Sequence, residues 1–303
     1  MKWDGKLHKS KFLNRLVLRE PDMLKLILTV VQTLVLIVVP LGAFLLGLAT
    51  GRPYLRLLLA RPGVLLRFFL ATFVVMPAMA IGLALLRPIP AVWAGLALIS
   101  MTPPAAGLSE KVAKIGGDEK IGLAWQALAV VLCVFTIPLT LLLAERIRGL
   151  SLELGIAEVL KKILILYLVP QLAGFLVRHR WPTAGDSLGK ILKHVSTFAG
   201  LLLVLLVLIM AVPLLFSQHI VNILIVVGFV ACAILIGHLL GGPPPELRLT
   251  LAGALATRWI APALVLAQIN HSTREIAPVL ITYVFAGTLL MMVYGRLVKR
   301  APT

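Results

Sequence analysis

Charged residues are scarce in this sequence. They make up 14% of the 303 residues, against about 25% in a soluble globular domain. Hydrophobic residues make up 60%, and the mean hydropathy is +1.03. A water-soluble protein of this size cannot bury so large an apolar fraction. The composition therefore excludes soluble enzyme folds and indicates a polytopic membrane protein.

Cysteines and familiar catalytic motifs are nearly absent as well. Cys133 and Cys232 each lie inside an apolar block, so neither a disulfide framework nor a metal site is predicted. The apolar blocks carry no paired aspartates, and the chain has no His-Glu-x-x-His or Gly-x-Ser-x-Gly motif. We therefore expect no enzyme activity, no cofactor and no metal. The first 22 residues are basic and amphipathic without a continuous apolar core, which is not the pattern of a cleavable signal peptide.

Long apolar blocks occupy most of the chain, and they lack the short alternation of barrel strands, so they predict helices. We predict an N-terminal basic arm (1–22), a first membrane half of four spans (23–144) and a second half of five (145–303). The nine spans are expected at about 24–49, 62–86, 90–101 with a continuation over 106–116, 119–144, 158–177, 190–216, 219–240, from 246 onward, and 275–297.

The third and eighth spans are interrupted. The first break lies near 102–107, where Pro103 and Pro104 remove two backbone donors, and the second lies near 257–262. Within lipid, the freed carbonyls must be satisfied by protein or by a water-filled cavity. Paired broken helices at corresponding places in two halves favour an inverted-repeat transporter with a site at the midplane. The alternative is that the prolines only kink packed helices.

Basic residues outnumber acidic ones, 29 to 12, giving a net charge of +17. Because they flank the apolar blocks, they indicate contact with the lipid bilayer and control of topology, not a nucleic-acid partner. The loop bias favours a cytoplasmic C-terminus, whereas nine spans then put the basic N-terminal arm outside, against the rule. We expect a multi-pass protein of the plasma (inner) membrane.

Four segments resemble the bile acid:sodium symporter superfamily, over about residues 23–298: Met76-Pro77, Pro104 to Ser109, Pro170 to Gly174, and Thr250 to Ala263. The resemblance implies an all-α polytopic membrane protein built from inverted repeats. It implies a core domain, a panel domain and two broken helices that cross in the core. It also implies transport of organic anions, usually coupled to sodium. This chain is similar to nine-span members, which lack the first helix of the ten-span form.

The residues that the resemblance places at the sodium site differ here. Ser109 is kept, but an Asn and a Glu that bind sodium are replaced by Glu110 and Ala254, and a Gln by Arg258. Further replacements are Thr72, Leu123 and Ala127. By analogy with other hard cations, sodium needs about five or six oxygen ligands and net negative charge. A permanently protonated arginine opposes both requirements, so the transporter is not expected to be coupled to sodium.

Arg258 is the centre of the resulting hypothesis. We expect its guanidinium to take the place of the sodium ions, with Glu110 on the facing broken helix as the counter-charge. A lone charge at bilayer depth costs about 2.5–3.5 kcal/mol on insertion scales. Two alternatives remain open. Glu110 faces water while Arg258 bonds the carbonyls of the half-helices, or Arg258 binds the anionic group of the substrate directly.

The expected substrate contacts are Thr102, Ser109, Gln126, Thr257, Arg258 and Trp259. Gln126 has the alternative of simple interhelical bonding. Protons are a candidate coupling ion, with Glu110 as the carboxylate. Histidine is the residue type that can change charge near neutral pH, but His194 and His238 are better explained as packed helix residues. The favoured function is secondary active transport of small organic anions. The alternative is a transport-inactive membrane sensor or partner subunit on the same fold. Substrate, direction and oligomeric state are not indicated.

Overall fold

The regular structure of the described residues is helical. The computed structural model describes residues 21–86, 90–148, 156–217, 219–269 and 273–300. The first helices are α1 (Pro21–Ala49), α2 (Arg52–Leu59), α3 (Pro62–Phe69), α4 (Met76–Leu86), α5 (Pro90–Met101), α6 (Leu108–Lys114) and α7 (Glu119–Arg148). The others are α8 (Ile156–Ile163), α9 (Val169–Arg180), α10 (Pro182–Ser217), α11 (Ile220–Leu240), α12 (Pro245–Ala256), α13 (Ile260–Ile269) and α14 (Thr273–Arg300). Short π-helical segments, Leu70–Val75 and Leu164–Leu168, join α3 to α4 and α8 to α9.

Six helical runs among the described residues are long and apolar enough to cross a membrane. They are Thr29–Ala49, Pro62–Leu85, Glu119–Leu143, Ala157–Arg180, Ile220–Leu240 and Glu275–Val298. The predicted all-α polytopic membrane fold is thereby confirmed, while the count of nine spans stays a prediction. Most of the predicted basic arm lies outside the described residues.

Several helix boundaries differ from the expected ones. The linker after the first span contains a helix, α2, because Pro53 fixes a helical φ in its first turn and Leu58 is fully buried. The helix α10 begins at Pro182 instead of near 190, and α7 continues to Arg148. Proline at a first helical position loses no hydrogen bond, since that N–H has no partner in a helix.

The helix α1 packs against α9 and α10. A Cβ added at Gly47 would lie 2.0 Å from the carbonyl oxygen of Gln171, and one added at Gly174 would lie 2.0 Å from that of Phe44. No side chain fits at either position, so the glycines allow the two backbones to touch, as small residues do between membrane helices.

The remaining long helices enclose the main apolar core, which includes the fully buried Trp125, Leu96 and Leu251. A smaller cluster joins this core to the α1–α9 pair and contains Val39, Leu46, Ala127, Val130, Tyr167 and Ala261. The molecule thus has two packed groups of helices with an apolar contact between them. Their assignment as core and panel domains remains an expectation.

Both π-helical segments are followed within two residues by a proline. In the first segment the N–H of Met76 bonds the carbonyl of Ala71, five residues back. The next donor in that register would bond the carbonyl of Thr72, but it is Pro77, which has no N–H. The π-helical register and Pro77 together therefore leave the Thr72 carbonyl without a donor from its own helix.

Candidate functional site: the crossover of two interrupted helices

The two predicted breaks meet in the structure. The N–H of Ala105 donates to the carbonyl of Thr257 at 2.8 Å, and the N–H of Trp259 donates to that of Pro103 at 3.0 Å. Pro104 and Arg258 thereby form an antiparallel bridge. We call the paired segments, residues 102–107 and 257–259, the crossover. Extended backbone among apolar helices is tolerated because the two segments satisfy each other's polar groups.

Each break has its own local cause. In the first, Pro103 and Pro104 end α5, and Gly107 starts α6 from a left-handed conformation with φ of 75°. In the second, α12 ends at Ala256, and Thr257 is extended, with φ of −114° and ψ of 90°. The second break has no proline of its own, although Pro262 follows within the first turn of α13.

Arg258 fills the crossover. Its side chain is only 1% exposed. One terminal nitrogen, Nη1, donates to the carbonyl of Thr102 at 2.7 Å, and the other, Nη2, donates to that of Thr72 at 3.1 Å. The first carbonyl lies just beyond the end of α5, and the second is the one left without a helix donor by Pro77. The guanidinium thus binds two carbonyls that lack a donor from their own helices.

The electrostatics of the crossover favour a cation. The helices α5 and α12 both end there, and the C-terminal end of a helix carries partial negative charge. No Asp or Glu is buried among the described residues, and Arg258 takes part in none of their ion pairs. Its Nε has no hydrogen-bond partner. Carbonyl dipoles therefore supply the neutralisation of this charge.

The structure corrects the predicted ion pair between Glu110 and Arg258. The carboxylate Oε1 of Glu110 instead accepts from Nζ of Lys193 on α10 at 2.8 Å, and both side chains are more than half exposed. Glu110 lies in the first turn of α6, and its side chain is exposed. In the structure Glu110 is exposed and Arg258 bonds carbonyls, one of which, that of Thr72, lies in a π-helical segment and not in a half-helix.

Four of the six predicted substrate contacts come together at the crossover: Thr102, Thr257, Arg258 and Trp259. The hydroxyls of the two threonines donate to carbonyls of the helices that precede them. Thr102 donates to Ile99 and Thr257 to Gly253. Ser109 and Gln126 are buried on α6 and α7, and the hydrogen bonds of the described residues do not join them to the crossover. The geometry shows no substrate role for any of the six, and their roles as substrate contacts stay predictions.

Trp259 connects the crossover to the α1–α9 group. Its ring meets that of Tyr167 edge to face, with centroids 4.9 Å apart. One turn further along, Gln171 donates to the carbonyl of Ala127 at 2.8 Å. The Tyr167 hydroxyl and the Gln171 Oε1 are buried without partners. Sequence reasoning missed this polar pair, although its spacing of four residues places both on one helix face.

Two further side chains bond the carbonyls at the ends of the helices that lead into the crossover. The hydroxyl of Tyr283, on α14, donates to the carbonyl of Leu255 near the end of α12 at 2.5 Å. The thiol of Cys133 lies 3.6 Å from the carbonyl of Met101. Both groups reach last-turn carbonyls that no helix N–H can satisfy. A polar side chain inside an apolar span was the available sequence signal for Tyr283.

The two candidate histidines are both hydrogen-bonded. Nδ1 of His194 lies 2.7 Å from the carbonyl of Lys190 on the exposed surface of α10, and Nδ1 of His238 lies 2.7 Å from the hydroxyl of Tyr294. Neither contact belongs to the crossover. A role of these residues in proton coupling stays a prediction.

Comparison with known proteins adds a family. The model of the Sodium Bile acid symporter family matches residues 53–223, more than half of the 303 residues. The match includes the first break and the Pro170 to Gly174 segment, but it ends before the second break. The comparison with curated proteins gives no match.

Proposed function

Because the chain belongs to the Sodium Bile acid symporter family, we propose that it is a secondary active transporter of small organic anions that does not use sodium. The membrane-transporter class follows from the family and from the six candidate spans. The absence of sodium coupling rests on one observation. The guanidinium of Arg258 is buried in the crossover on the carbonyls of Thr102 and Thr72.

Sodium and Arg258 compete for the same kind of ligand. In transporters with broken helices, unwound carbonyls and half-helix C-termini coordinate the cation. At this crossover two such carbonyls already accept from Arg258. A second cation about 4 Å from the guanidinium would be repelled by about 4 kcal/mol at an effective dielectric constant of 20. No buried carboxylate among the described residues offsets that repulsion.

The same charge suits an organic anion. A buried cation balanced only by dipoles gains from an approaching carboxylate or sulfonate, and guanidinium geometry matches such groups. The rings of Trp259 and Tyr167 lie on the side of the crossover that faces the α1–α9 group. They supply apolar contact area for the body of such an anion. Opening of this contact would bring the anion to Arg258.

The test is uptake of radiolabelled cholate and of short aliphatic carboxylates into proteoliposomes. Sodium is replaced by potassium or choline at constant ionic strength, with and without an imposed pH gradient. We expect uptake that is independent of sodium in the wild type and reduced at least about tenfold in Arg258→Gln. Arg56→Gln is the matched control, because Arg56 is exposed on α2.

Each outcome has a consequence. Uptake that rises with the sodium gradient would overturn the coupling claim, since it requires a cation site that the guanidinium leaves no room for. Uptake that follows the pH gradient identifies protons as the coupling ion. If folded protein carries none of these anions, the transport-inactive sensor or partner subunit replaces the transporter.

A further inference from the structure

Two arginines meet at the turn between α11 and α12, away from the crossover. The side chain of Arg248, on α12, donates from Nε to the carbonyl of Gly242 at 2.7 Å. The side chain of Arg67, on α3, lies over the same turn, because a Cβ added at Gly242 would clash with its Nη1. Gly242 has a left-handed φ of 93°, so a glycine here both forms the turn and leaves room for Arg67. We call Arg67 and Arg248 the arginine pair.

The hydrogen bonds of the arginine pair leave the terminal nitrogens available. Nε of Arg67 donates to the carbonyl of Gly63 at 2.9 Å, as Nε of Arg248 does to that of Gly242. Within the part of the chain that the structure describes, no other hydrogen bond and no ion pair engages either guanidinium. The Nη groups therefore remain as donors. Two half-buried cations held at one turn repel each other unless an anion lies between them.

The elements packed around the arginine pair do not neutralise it. His238, near the end of α11, and Tyr294, near the end of α14, are joined by a hydrogen bond of 2.7 Å between Nδ1 and the hydroxyl. Arg248 acts electrostatically on that hydroxyl, so these side chains are neighbours. Glu246 is exposed and forms none of the ion pairs seen among the described residues. It also lies two residues before Arg248, and residues two apart do not share a helix face.

The arginine pair lies at the depth where a bilayer has its phosphates. Arg67 follows the start of one candidate span, at Pro62, and His238 precedes the end of another, at Leu240. With a rise of 1.5 Å per residue, both residues lie within about 8 Å of a span end. That distance is short enough for a long cationic side chain to reach the headgroup region.

Exposed apolar surface extends from the arginine pair toward the middle of the spans. Leu70 follows Arg67 by three residues, Val74 lies about one turn further along the π-helical segment, and both are exposed. On α11, which packs against this segment, Leu235 is exposed and lies three residues before His238. An inorganic anion would use only the guanidiniums. A lipid would use the guanidiniums for its headgroup and the apolar surface for its acyl chain.

From these observations we infer that the arginine pair binds the phosphate of a bilayer phospholipid, with an acyl chain on the exposed surface of Leu70, Val74 and Leu235. Guanidinium groups match phosphate oxygens in both geometry and charge. The phosphate diester is common to zwitterionic and anionic phospholipids, so recognition follows the phosphate and not the net charge of the lipid. Such a lipid is bound to the outer surface of the helices and is not a transported molecule. The inference therefore does not rest on the proposed function.

The test counts, by native mass spectrometry, the lipids that the full chain retains in detergent micelles doped with one of two lipids. These are phosphatidylethanolamine and monoglucosyl diacylglycerol with the same acyl chains. Neither carries a net charge, and only the first contains a phosphate. The variant is Arg67→Gln with Arg248→Gln, and the matched control is Arg56→Gln with Arg296→Gln, whose side chains are exposed. Arg67→Gln alone is a second, milder variant, because it loses only an exposed hydrogen bond within its own helix.

We expect the wild type and the control to retain phosphatidylethanolamine in preference to the glucosyl lipid. The double variant should lose at least about tenfold in retention, and Arg67→Gln alone should lose part of it. Equal retention of the two lipids by the wild type would overturn the inference, and that comparison needs no variant. Equal retention by the wild type and both variants would also overturn it, as would an equal loss in the control.

A last arm adds inorganic phosphate to the wild type with bound phosphatidylethanolamine. We expect no displacement at equal concentrations, because inorganic phosphate makes no contact with the apolar surface. Displacement at equal concentrations would overturn the assignment to a lipid and identify a soluble phosphate as the ligand of the arginine pair.

Discussion

The two interruptions at the crossover reach one backbone pairing by opposite chemistry. The first runs over 102–107, contains two prolines and leaves carbonyls without donors. The second runs over 257–259, contains no proline and brings in the five-donor guanidinium of Arg258. The first segment leaves backbone carbonyls without hydrogen-bond donors, and the second supplies donors to them. The backbone polar groups of each break are therefore hydrogen-bonded only when the other break is present. In this arrangement the carbonyls of Thr102 and Thr72 accept hydrogen bonds from a side chain of the protein itself.

The largest effect on stability is expected from Arg258→Ala, which removes the guanidinium donors that the second break supplies. Two buried carbonyls, those of Thr102 and Thr72, lose their partner, at about 1–3 kcal/mol each. The cavity adds to the loss, while relief of a buried charge offsets about 3 kcal/mol. We expect the free energy of unfolding to fall by about 3 kcal/mol, measured by denaturant titration in detergent micelles.

Arg258→Lys tests whether geometry or charge is responsible. An ammonium keeps the charge but cannot present the planar fork that reaches two separate carbonyls, so its stability should lie between those of the wild type and Arg258→Ala. Arg56→Ala serves as the exposed control. Unchanged unfolding of Arg258→Ala would show that the carbonyls find other donors, and the donor–acceptor account of the crossover would fail.

The next comparison is between two glycines, one beside each break. Gly107 needs its left-handed φ of 75°, but a Cβ there would meet only open space. Gly287 on α14 lies against the end of α12, and a Cβ there would lie 2.1 Å from the carbonyl oxygen of Ala256. We expect Gly287→Ala to cost about 2 kcal/mol through overpacking and Gly107→Ala about 1 kcal/mol through backbone strain.

The matched control for these glycines is Gly228→Ala on α11, where a Cβ meets nothing within 4 Å. Since alanine favours helix over glycine, that variant should be neutral or slightly stabilising. The same unfolding titration measures all three. A larger loss of unfolding free energy in Gly107→Ala than in Gly287→Ala would contradict this expectation. It would mean that backbone conformation matters more than close packing beside the breaks.

The sequence revealed the breaks but not the partners of their polar groups. Consecutive prolines and a Thr-Arg-Trp run inside apolar blocks are local signals, and the helices of the structure are interrupted at 102–107 and 257–259. The Thr72 carbonyl was not predictable, because in an ordinary α-helix Pro77 would free the carbonyl of Phe73 instead. Only the π-helical register of Leu70–Val75 shifts the carbonyl that lacks a helix donor from Phe73 to Thr72.

The error over Glu110 has a similar origin. Which way Glu110 points depends on where α6 starts, and that is set by the left-handed turn at Gly107. Its partner Lys193 is 83 residues away along the chain, so no short-range pattern could reveal the pair. Charge balance between two helices predicted a contact, but balance alone does not specify which side of a helix a residue occupies.

A double-mutant cycle sharpens this point with a smaller expected effect. Glu110→Gln and Lys193→Gln should show a coupling of about 0.2–1 kcal/mol, as exposed ion pairs do. Glu110→Gln and Arg258→Gln should be additive, because these residues form no ion pair. A coupling above about 1 kcal/mol in the second cycle would restore the ion pair that the structure replaces.

The smallest effect is expected at Thr72, which separates backbone from side chain within the crossover. Arg258 bonds the Thr72 carbonyl, while the Thr72 hydroxyl is buried without a partner. Thr72→Val keeps the shape and removes an unsatisfied hydroxyl, so stability should change by less than about 0.5 kcal/mol, in either direction. Sodium-independent uptake should also persist. A loss of stability as large as that of Arg258→Ala would show that the Thr72 hydroxyl itself binds the guanidinium or the substrate. The acceptor of the Arg258 hydrogen bond would then be a side chain, and Pro77 would not be the reason for it.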